Sequence, residues 1–139
     1  MKIGIGADHR GYELKKYLIE ALSDIEWFDV GTGSDDRTDY PLYVPPVIDA
    51  LKKGSIDCGI LICGSGVGMS IVANRYKGIY AALVWNEKVA VQSKEHDNSN
   101  VLVLPSDYIT SDQARDIVSA WLKAKFMGGR YQERLTLFE

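Results

Sequence analysis

The chain has 139 residues, of which 46% are hydrophobic and 25% charged, and its formal net charge is −3. This length suits one domain spanning residues 1–139, and the composition is typical of a soluble globular protein. The negative charge gives no electrostatic basis for binding nucleic acid. No apolar run approaches the roughly 20 residues of a membrane span. Neither nucleic acid nor a membrane is therefore an expected partner.

The two cysteines, Cys58 and Cys63, lie on one predicted strand, too close in sequence for a disulfide that joins separate elements. Residues 1–4 lead directly into a strand pattern and do not resemble a secretory signal peptide. Free thiols without a targeting segment favour the reducing cytoplasm.

The first half of the chain alternates strand and helix patterns. Strands are predicted over Lys2–Ala7 and Ile25–Val30, with helical spacing at Leu14, Tyr17, Leu18, Ala21 and Leu22 between them. A second helical stripe runs from Val44 to Leu51. Because Pro45 and Pro46 would not fit in a helix interior, we expect this helix to begin late or to kink.

The alternation continues in the second half. Strands are predicted over Ile56–Ile62, Ile79–Val84 and Val101–Leu104, and helices over Glu87–Glu95, over 114–122 behind a capping box of Thr110 and Gln113, and over the tail 130–139. Gly128 and Gly129 are expected to break the helix before that tail. This order predicts an α/β fold, a doubly wound, Rossmann-like three-layer sandwich with about five parallel strands. In such folds ligands bind outside the carboxyl ends of the strands.

One of these strands runs into a cysteine, Cys63, and then a turn with glycine at every second position, Gly64, Gly66 and Gly68. A glycine-rich turn that opens a helix can bind an anion through unpaired backbone N–H groups. A P-loop would need a lysine here, and a dinucleotide fingerprint would need glycine at the position of Met69. A cysteine phosphatase would need arginine at that same position. Two interpretations remain: a thiol beside an amide-lined pocket, or a tight turn with a buried cysteine.

His96 does not fit the same edge of the sheet. It lies about nine residues into the predicted helix, roughly 14 Å from the carboxyl edge at about 1.5 Å per residue. If His96 is catalytic, it serves a neighbouring subunit. This predicts a homodimer, or a dimer of such dimers, with sites shared between subunits.

Five segments together identify a family. They are Asp8-His9-x-Gly11; Gly31-Thr32 with Arg37-Thr38-Asp39-Tyr40-Pro41; Cys63 to Gly68 with Ala73-Asn74; Glu95-His96 with Asn100-Val101-Leu102; and Gly128-Gly129-Arg130-Tyr131-Gln132-x-Arg134. In this order and over essentially the full length, the chain closely resembles type B ribose-5-phosphate isomerase, in the family shared with the galactose-6-phosphate isomerase subunits.

The resemblance implies an aldose–ketose isomerase without a metal or other cofactor. It would interconvert D-ribose 5-phosphate and D-ribulose 5-phosphate through an enediolate, in the non-oxidative pentose phosphate pathway. An isomerase of a six-carbon sugar phosphate, galactose 6-phosphate or allose 6-phosphate, is the alternative. A nucleotide- or flavin-binding module and a non-catalytic interaction domain are the other classes that the fold allows.

The resemblance also implies roles for the residues of the glycine-rich turn. Cys63 would be the base. Some relatives use a carboxylate at the position of Met69 instead, but a methionine side chain cannot take a proton. Thiols at helix N-termini are more readily deprotonated, which suits that role. The amides of Ser65–Met69 would hold the developing enediolate oxygen, and Gly64, Gly66, Val67 and Gly68 would bind the substrate. The Ser65 hydroxyl would assist catalysis there.

The remaining site residues lie elsewhere in the chain. By the resemblance, His96 would assist ring opening, Asp8 and His9 would contact the sugar or phosphate, and Tyr40 and Asn100 would line the site. Arg130 and Arg134, on a C-terminal arm of residues 127–139 involved in dimer contacts, would clamp the phosphate.

Two positions depart from the family pattern. Asp107 stands where relatives commonly have a phosphate-binding arginine, and a carboxylate there would repel the ligand. Arg10, at a position that is often small, is predicted to compensate. Asp97 replaces a common asparagine beside His96 and could alter sugar contacts. Both departures bear on substrate choice more than on reaction class.

Overall fold

The computed structural model describes residues 1–139, which form five strands, six α-helices and one 3₁₀ turn. The strands are β1 (Lys2–Ala7), β2 (Glu26–Asp29), β3 (Cys58–Cys63), β4 (Ala81–Leu83) and β5 (Val101–Pro105). The helices are α1 (Tyr12–Ala21), α2 (Val44–Lys52), α3 (Val67–Ala73), α4 (Glu87–Asp97), α5 (Ser111–Lys123) and α6 (Arg130–Thr136), with the 3₁₀ turn at Tyr40–Tyr43. None of these helices combines the length and hydrophobicity needed to cross a lipid bilayer.

All five strands are parallel and lie in the order β2-β1-β3-β5-β4. The chain moves outward from β1 to β2 in one direction and from β3 to β4 and β5 in the other. The loops after β1 and β3 therefore leave the sheet in opposite directions, which opens a crevice at their carboxyl ends. The predicted doubly wound sheet is confirmed.

Helices cover both faces of the sheet and bury two apolar layers. On one face, Ile3, Ile5, Ile60, Leu102 and Trp121 belong to a core beneath α1, α4 and α5. On the other, Val47, Leu61, Met69, Ala73 and Val103 belong to a core beneath α2 and α3. Because side chains alternate along a strand, neighbouring β3 residues enter different layers. The two cysteines of β3 consequently lie on opposite faces as well as at opposite ends.

The predicted late start of α2 has a specific geometry. Pro41 lies in the preceding 3₁₀ turn, and Pro45 and Pro46 occupy the first turn of α2, which begins at Val44. A proline there costs no hydrogen bond, because the first N–H groups of a helix have no intrahelical acceptor.

The end of the chain differs from its prediction. The capping box of Thr110 and Gln113 is present, but α5 ends at Lys123, before the glycine pair that was expected to break it. An extended segment follows and is tied to α4 by a hydrogen bond from Met127 N to the Glu95 carbonyl, 3.0 Å. Gly129 then caps α6. The basic tail is thus helical, as predicted, and lies against α4.

Candidate active site

Strand register places three loops at the same level of the carboxyl edge. Ala7 of β1 lies beside Ile62 of β3, and Cys63 lies beside Pro105 of β5. The residues that follow these strands, Asp8 and Ser106, therefore flank the thiol. This is the edge at which the topology opens its crevice.

The glycine-rich turn holds the thiol beneath a helix N-terminus. Cys63 is only 4% exposed. Gly66 adopts a left-handed conformation, with φ of 75°, and caps α3; a residue with a side chain would be strained there. The N–H of Val67 donates to the Ser65 hydroxyl oxygen at 3.2 Å. Helix α3 thus begins within the glycine-rich turn that follows Cys63, and the first N–H groups of a helix have no intrahelical acceptor.

Tyr40 lies directly on this turn. A Cβ built on Gly68 would come within 2.5 Å of the Tyr40 ring, so only glycine permits the contact. The structure brings Tyr40 together with the glycine-rich turn, although 28 residues separate it from Gly68. Its half-buried ring forms a wall beside the first turn of α3.

Asp8 organises the loop after β1. Its carboxylate is buried, with 5% of the residue exposed. Oδ1 accepts hydrogen bonds from the backbone N–H groups of Arg10, at 3.0 Å, and Gly11, at 3.1 Å. These bonds satisfy amides at the start of α1 and fix the direction in which His9 and Arg10 leave the strand.

His9 contacts a loop that the sequence did not link to it. Its Nδ1 lies 3.1 Å from the carbonyl oxygen and 3.2 Å from the backbone nitrogen of Thr38. The Thr38 hydroxyl lies 2.8 Å from the Tyr43 hydroxyl. Hydrogen bonds from the hydroxyls of Thr32 and then Thr38 lower the pKa of Tyr43. Sequence analysis missed Tyr43, although its spacing of three from Tyr40 was a usable indication that both face one side.

Arg10 and Asp107 form an ion pair across the mouth of the turn. A Cβ built on Gly64 would lie 2.7 Å from the Arg10 guanidinium and 2.8 Å from the Asp107 carboxylate. The Ser106 hydroxyl donates to the carbonyls of Arg10, at 3.0 Å, and Cys63, at 3.1 Å. The charge of Asp107 is thus paired with Arg10, which changes the simple repulsion expected from the sequence.

The other predicted catalytic residues assemble elsewhere. The His96 ring stacks on Tyr131, with centroids 4.4 Å apart and planes 5° from parallel. The guanidinium carbons of Arg130 and Arg134 lie 5.1 and 5.5 Å from the centre of the same tyrosine ring. A hydrogen bond to the Tyr131 hydroxyl raises the pKa of Arg130. Tyr131 is a second residue whose role the sequence analysis missed.

This second group is far from Cys63 within one chain. Helix α4 begins at the carboxyl edge with Asn86 as its cap and runs to Asp97 at the opposite edge. His96 is the tenth residue of that helix, so about 1.5 Å per residue carries it roughly 14 Å away. We call His96 with Tyr131, Arg130 and Arg134 the cationic half-site. The thiol half-site consists of Cys63 and the glycine-rich turn, with Asp8, His9, Arg10, Tyr40 and Tyr43.

Asn100 belongs to neither half-site. Its side chain donates to the Gly78 carbonyl at 2.9 Å and accepts from Tyr80 N at 2.9 Å, just before β5 begins. Asn74 binds Ala81 in the same two-bond manner. Both asparagines hold the loop before β4, so the contacts of Asn100 in this chain are structural.

The other cysteine provides a reference for Cys63. Cys58 lies at the amino end of β3, 5% exposed, within the core beneath α1, α4 and α5. Burial raises the pKa of Cys58 to about 11. A thiol in that position stays protonated at neutral pH and cannot act as a base.

Fold and site together define a doubly wound α/β protein with a thiol at its switch-point crevice. The model of the family described as Ribose/Galactose Isomerase matches residues 3–138. Ribose-5-phosphate isomerase B of Escherichia coli (strain K12) is 43% identical over 136 residues, which is 96% of this chain and 91% of that protein. The chain belongs to the ribose/galactose isomerase family.

Solved structures extend the likeness to the backbone. Ribose-5-phosphate isomerase B of Clostridium thermocellum has a TM-score of 0.96 at 45% identity, over 99% of this chain and 94% of that one. Ribose-5-phosphate isomerase B of Mycoplasma genitalium, solved with bound ribulose-5-phosphate, has a TM-score of 0.92 at 44% identity, covering 98% and 92%.

Proposed function

We propose that this chain is an aldose–ketose isomerase that interconverts D-ribose 5-phosphate and D-ribulose 5-phosphate. The observation that carries the proposal is the position of Cys63, at the switch point of the sheet and directly before an amide-rich helix start. High-coverage relatives named ribose-5-phosphate isomerase B, one of them with ribulose-5-phosphate bound, favour the five-carbon substrate over a six-carbon sugar phosphate.

Cys63 is assigned as the base. The thiolate removes the proton from C2 of the open-chain aldose, and the C–H electrons form a C1–C2 double bond while negative charge moves to the aldehyde oxygen. The same proton returns to C1, and the proton of the O2 hydroxyl passes to O1 as the ketone forms at C2. No electrons are gained or lost overall. A positioned base of this kind contributes about 10²- to 10⁴-fold in rate.

The backbone of the glycine-rich turn is assigned to the enediolate. Amides from Gly64 to Gly68 surround the place where negative charge develops, and donors fixed there stabilise the transition state more than the substrate. Gly66 sets the direction of these amides through its left-handed conformation. The exposed Ser65 hydroxyl, which already holds Val67 N, is assigned to proton movement between the two oxygens.

Two copies of the chain would complete each site. The thiol half-site has Cys63 but only one arginine, and the cationic half-site has two arginines and a histidine but no thiol. Helix α3, next to the thiol, leaves Val67 50% and Ile71 59% exposed. We infer that a partner covers this apolar surface in a homodimer and brings its own His96 and arginines to Cys63.

The arginines supply the phosphate contacts. Arg130 and Arg134 are four residues apart on α6 and therefore share one helix face. Guanidinium groups bind phosphate through two parallel charge-assisted hydrogen bonds. With His96 assigned to ring opening, the arm of residues 127–139 would hold the phosphate end of the sugar while the thiol half-site acts on C1 and C2. A reactive free thiol suits the cytoplasm, where we place the enzyme.

The test is an initial-rate assay with ribose 5-phosphate, galactose 6-phosphate and allose 6-phosphate, with and without EDTA. Cys63→Ala is compared with Cys58→Ala, the same change at the other end of the same strand. We expect wild-type activity on ribose 5-phosphate that EDTA does not reduce. Cys63→Ala should lose about 10²- to 10⁴-fold in kcat, and Cys58→Ala should remain close to wild type.

Three results would contradict the proposal in different ways. Faster turnover of a six-carbon sugar phosphate would identify that sugar phosphate, and not ribose 5-phosphate, as the substrate. Activity that survives Cys63→Ala would mean that another group is the base. Absence of isomerase activity on all three substrates would leave a binding role for the crevice.

A further inference from the structure

Tyr43 lies where three segments of the thiol half-site meet. Its hydroxyl lies 2.8 Å from Thr38 Oγ1. Thr38 lies near the end of the loop between β2 and the 3₁₀ turn. The Tyr43 hydroxyl thus fastens the end of the loop that walls the crevice beside β1.

The sheet leaves space for this tyrosine. A Cβ on Gly6 would come within 2.9 Å of the Tyr43 carbonyl oxygen, and a Cβ on Gly31 would lie 3.0 Å from its ring. Both glycines are adjacent to the crevice, one near the end of β1 and one just beyond β2. Gly6 therefore lies against the backbone of Tyr43 and Gly31 against its ring, and these two contacts fix the position of the Tyr43 side chain.

The loop that Tyr43 fastens contacts a substrate-binding residue through its backbone. The backbone nitrogen and carbonyl oxygen of Thr38 both lie within 3.2 Å of His9 Nδ1. An unprotonated Nδ1 accepts from the Thr38 N–H, and a protonated Nδ1 donates to the Thr38 carbonyl. Thr38 can therefore hold the imidazole in either state, which leaves Nε2 as the end available to a ligand.

We propose that Tyr43 is a positioning residue, which fixes Thr38 through its hydroxyl and thereby orients His9 toward the sugar phosphate. The inference rests on the proposed function in so far as His9 contacts the substrate. It adds a residue that acts through two others and does not itself touch the reacting atoms. A residue that holds a ligand-binding imidazole in place should influence KM more than kcat.

The kinetic test is a double-mutant cycle of Tyr43→Phe and His9→Asn with ribose 5-phosphate. Tyr43→Phe should raise KM about 2- to 10-fold, the range that one neutral hydrogen bond contributes to an equilibrium, with a smaller change in kcat. In the His9→Asn background the same change should have no further effect. Thr38→Val should reproduce the rise in KM, and Thr38→Ser, which keeps the hydroxyl, should restore wild-type KM.

Tyr76→Phe is the matched control, because Tyr76 is also half-buried but packs against α2 and α3. It should leave KM unchanged. An equal effect of Tyr43→Phe with and without His9 would overturn the proposal, since Tyr43 would then act independently of His9.

A second measurement does not need activity. The chain has only two histidines, His9 and His96, so long-range ¹H–¹⁵N spectra of the imidazoles can be assigned with a single His96→Asn variant. Tyr43→Phe should shift or broaden the His9 signals and leave those of His96 unchanged. Unchanged His9 signals would refute the positioning role. If they change but ribose 5-phosphate is not a substrate, the proposed function fails and the positioning role stands.

Discussion

The thiol half-site and the cationic half-site are built from different materials. The first consists largely of backbone: amides of a glycine-rich turn, strand ends aligned by register, and a thiol that is 4% exposed. The second consists of long side chains around the Tyr131 ring, on a helix end and an exposed tail. Backbone in a core moves little, whereas exposed side chains adapt to a ligand. We propose that the thiol half-site performs proton transfer and that the cationic half-site binds and orients the phosphate.

The largest effect in the cationic half-site is expected at Arg134. Arg134→Gln removes a charge-assisted contact, so KM for ribose 5-phosphate should rise about 10- to 100-fold while kcat changes little. Steady-state kinetics measure this directly. Arg115→Gln is the matched control, because Arg115 is a half-exposed arginine that pairs with Asp112 and Asp116 on α5. A fall in kcat without a change in KM would contradict the division of labour between the half-sites.

A smaller effect is expected at the ion pair above Gly64. Arg10→Ala should raise KM by several-fold, whereas Asp107→Asn should lower it, because the carboxylate competes with phosphate for the guanidinium. Neither change should alter the free energy of unfolding by more than about 0.5 kcal/mol, since the pair is exposed to solvent. Kinetics and urea denaturation separate the two effects. An unchanged KM in Arg10→Ala would show that Arg10 pairs with Asp107 but does not bind the phosphate.

The smallest effect on activity is expected at Cys58, whose influence is on stability at high pH. Burial raises its pKa to about 11, above its ordinary value. The unfolded thiol ionises first as the pH rises, so unfolding releases a proton and the stability present at lower pH is lost between about pH 9 and 11. The loss is at most about 1.4 kcal/mol per pH unit.

Urea denaturation across this range should show a shallower decline for Cys58→Ala than for wild type. Cys63→Ala, which retains Cys58, should follow the wild-type slope. Identical slopes for wild type and Cys58→Ala would show that the Cys58 thiol ionises equally in both states.

The fold was largely predictable because its determinants are local. Apolar runs gave the strands, helical spacing gave the helices, and the prolines at 45 and 46 indicated where α2 begins. The position of Cys63 followed from the same patterns, since a residue that ends a central strand must lie at the carboxyl edge. The length of the predicted helix was enough to show that His96 lies far from that edge.

The missed contacts depend on segments that are distant in sequence. Arg10 and Asp107 are 97 residues apart, and their pairing depends on the register of β1, β3 and β5. The link from Tyr43 to His9 depends on the course of an irregular loop, and the spacing of residues in the sequence does not predict that course. The structural role of Asn100 likewise depends on the loop before β4 returning to the start of β5.

The central claim is that each active site joins Cys63 of one subunit with His96 of another. The most direct test mixes Cys63→Ala with His96→Asn after reversible dissociation, using distinct tags to confirm mixed dimers. Each variant alone should be nearly inactive. A mixed dimer would carry one intact site, so an equal mixture should recover about one quarter of wild-type activity.

A mixture of Cys63→Ala with Cys63→Ser is the control and should recover nothing. Mixed dimers of Cys63→Ala and His96→Asn that form but stay inactive would contradict the shared site. Cys63 and His96 of the same subunit would then form each active site.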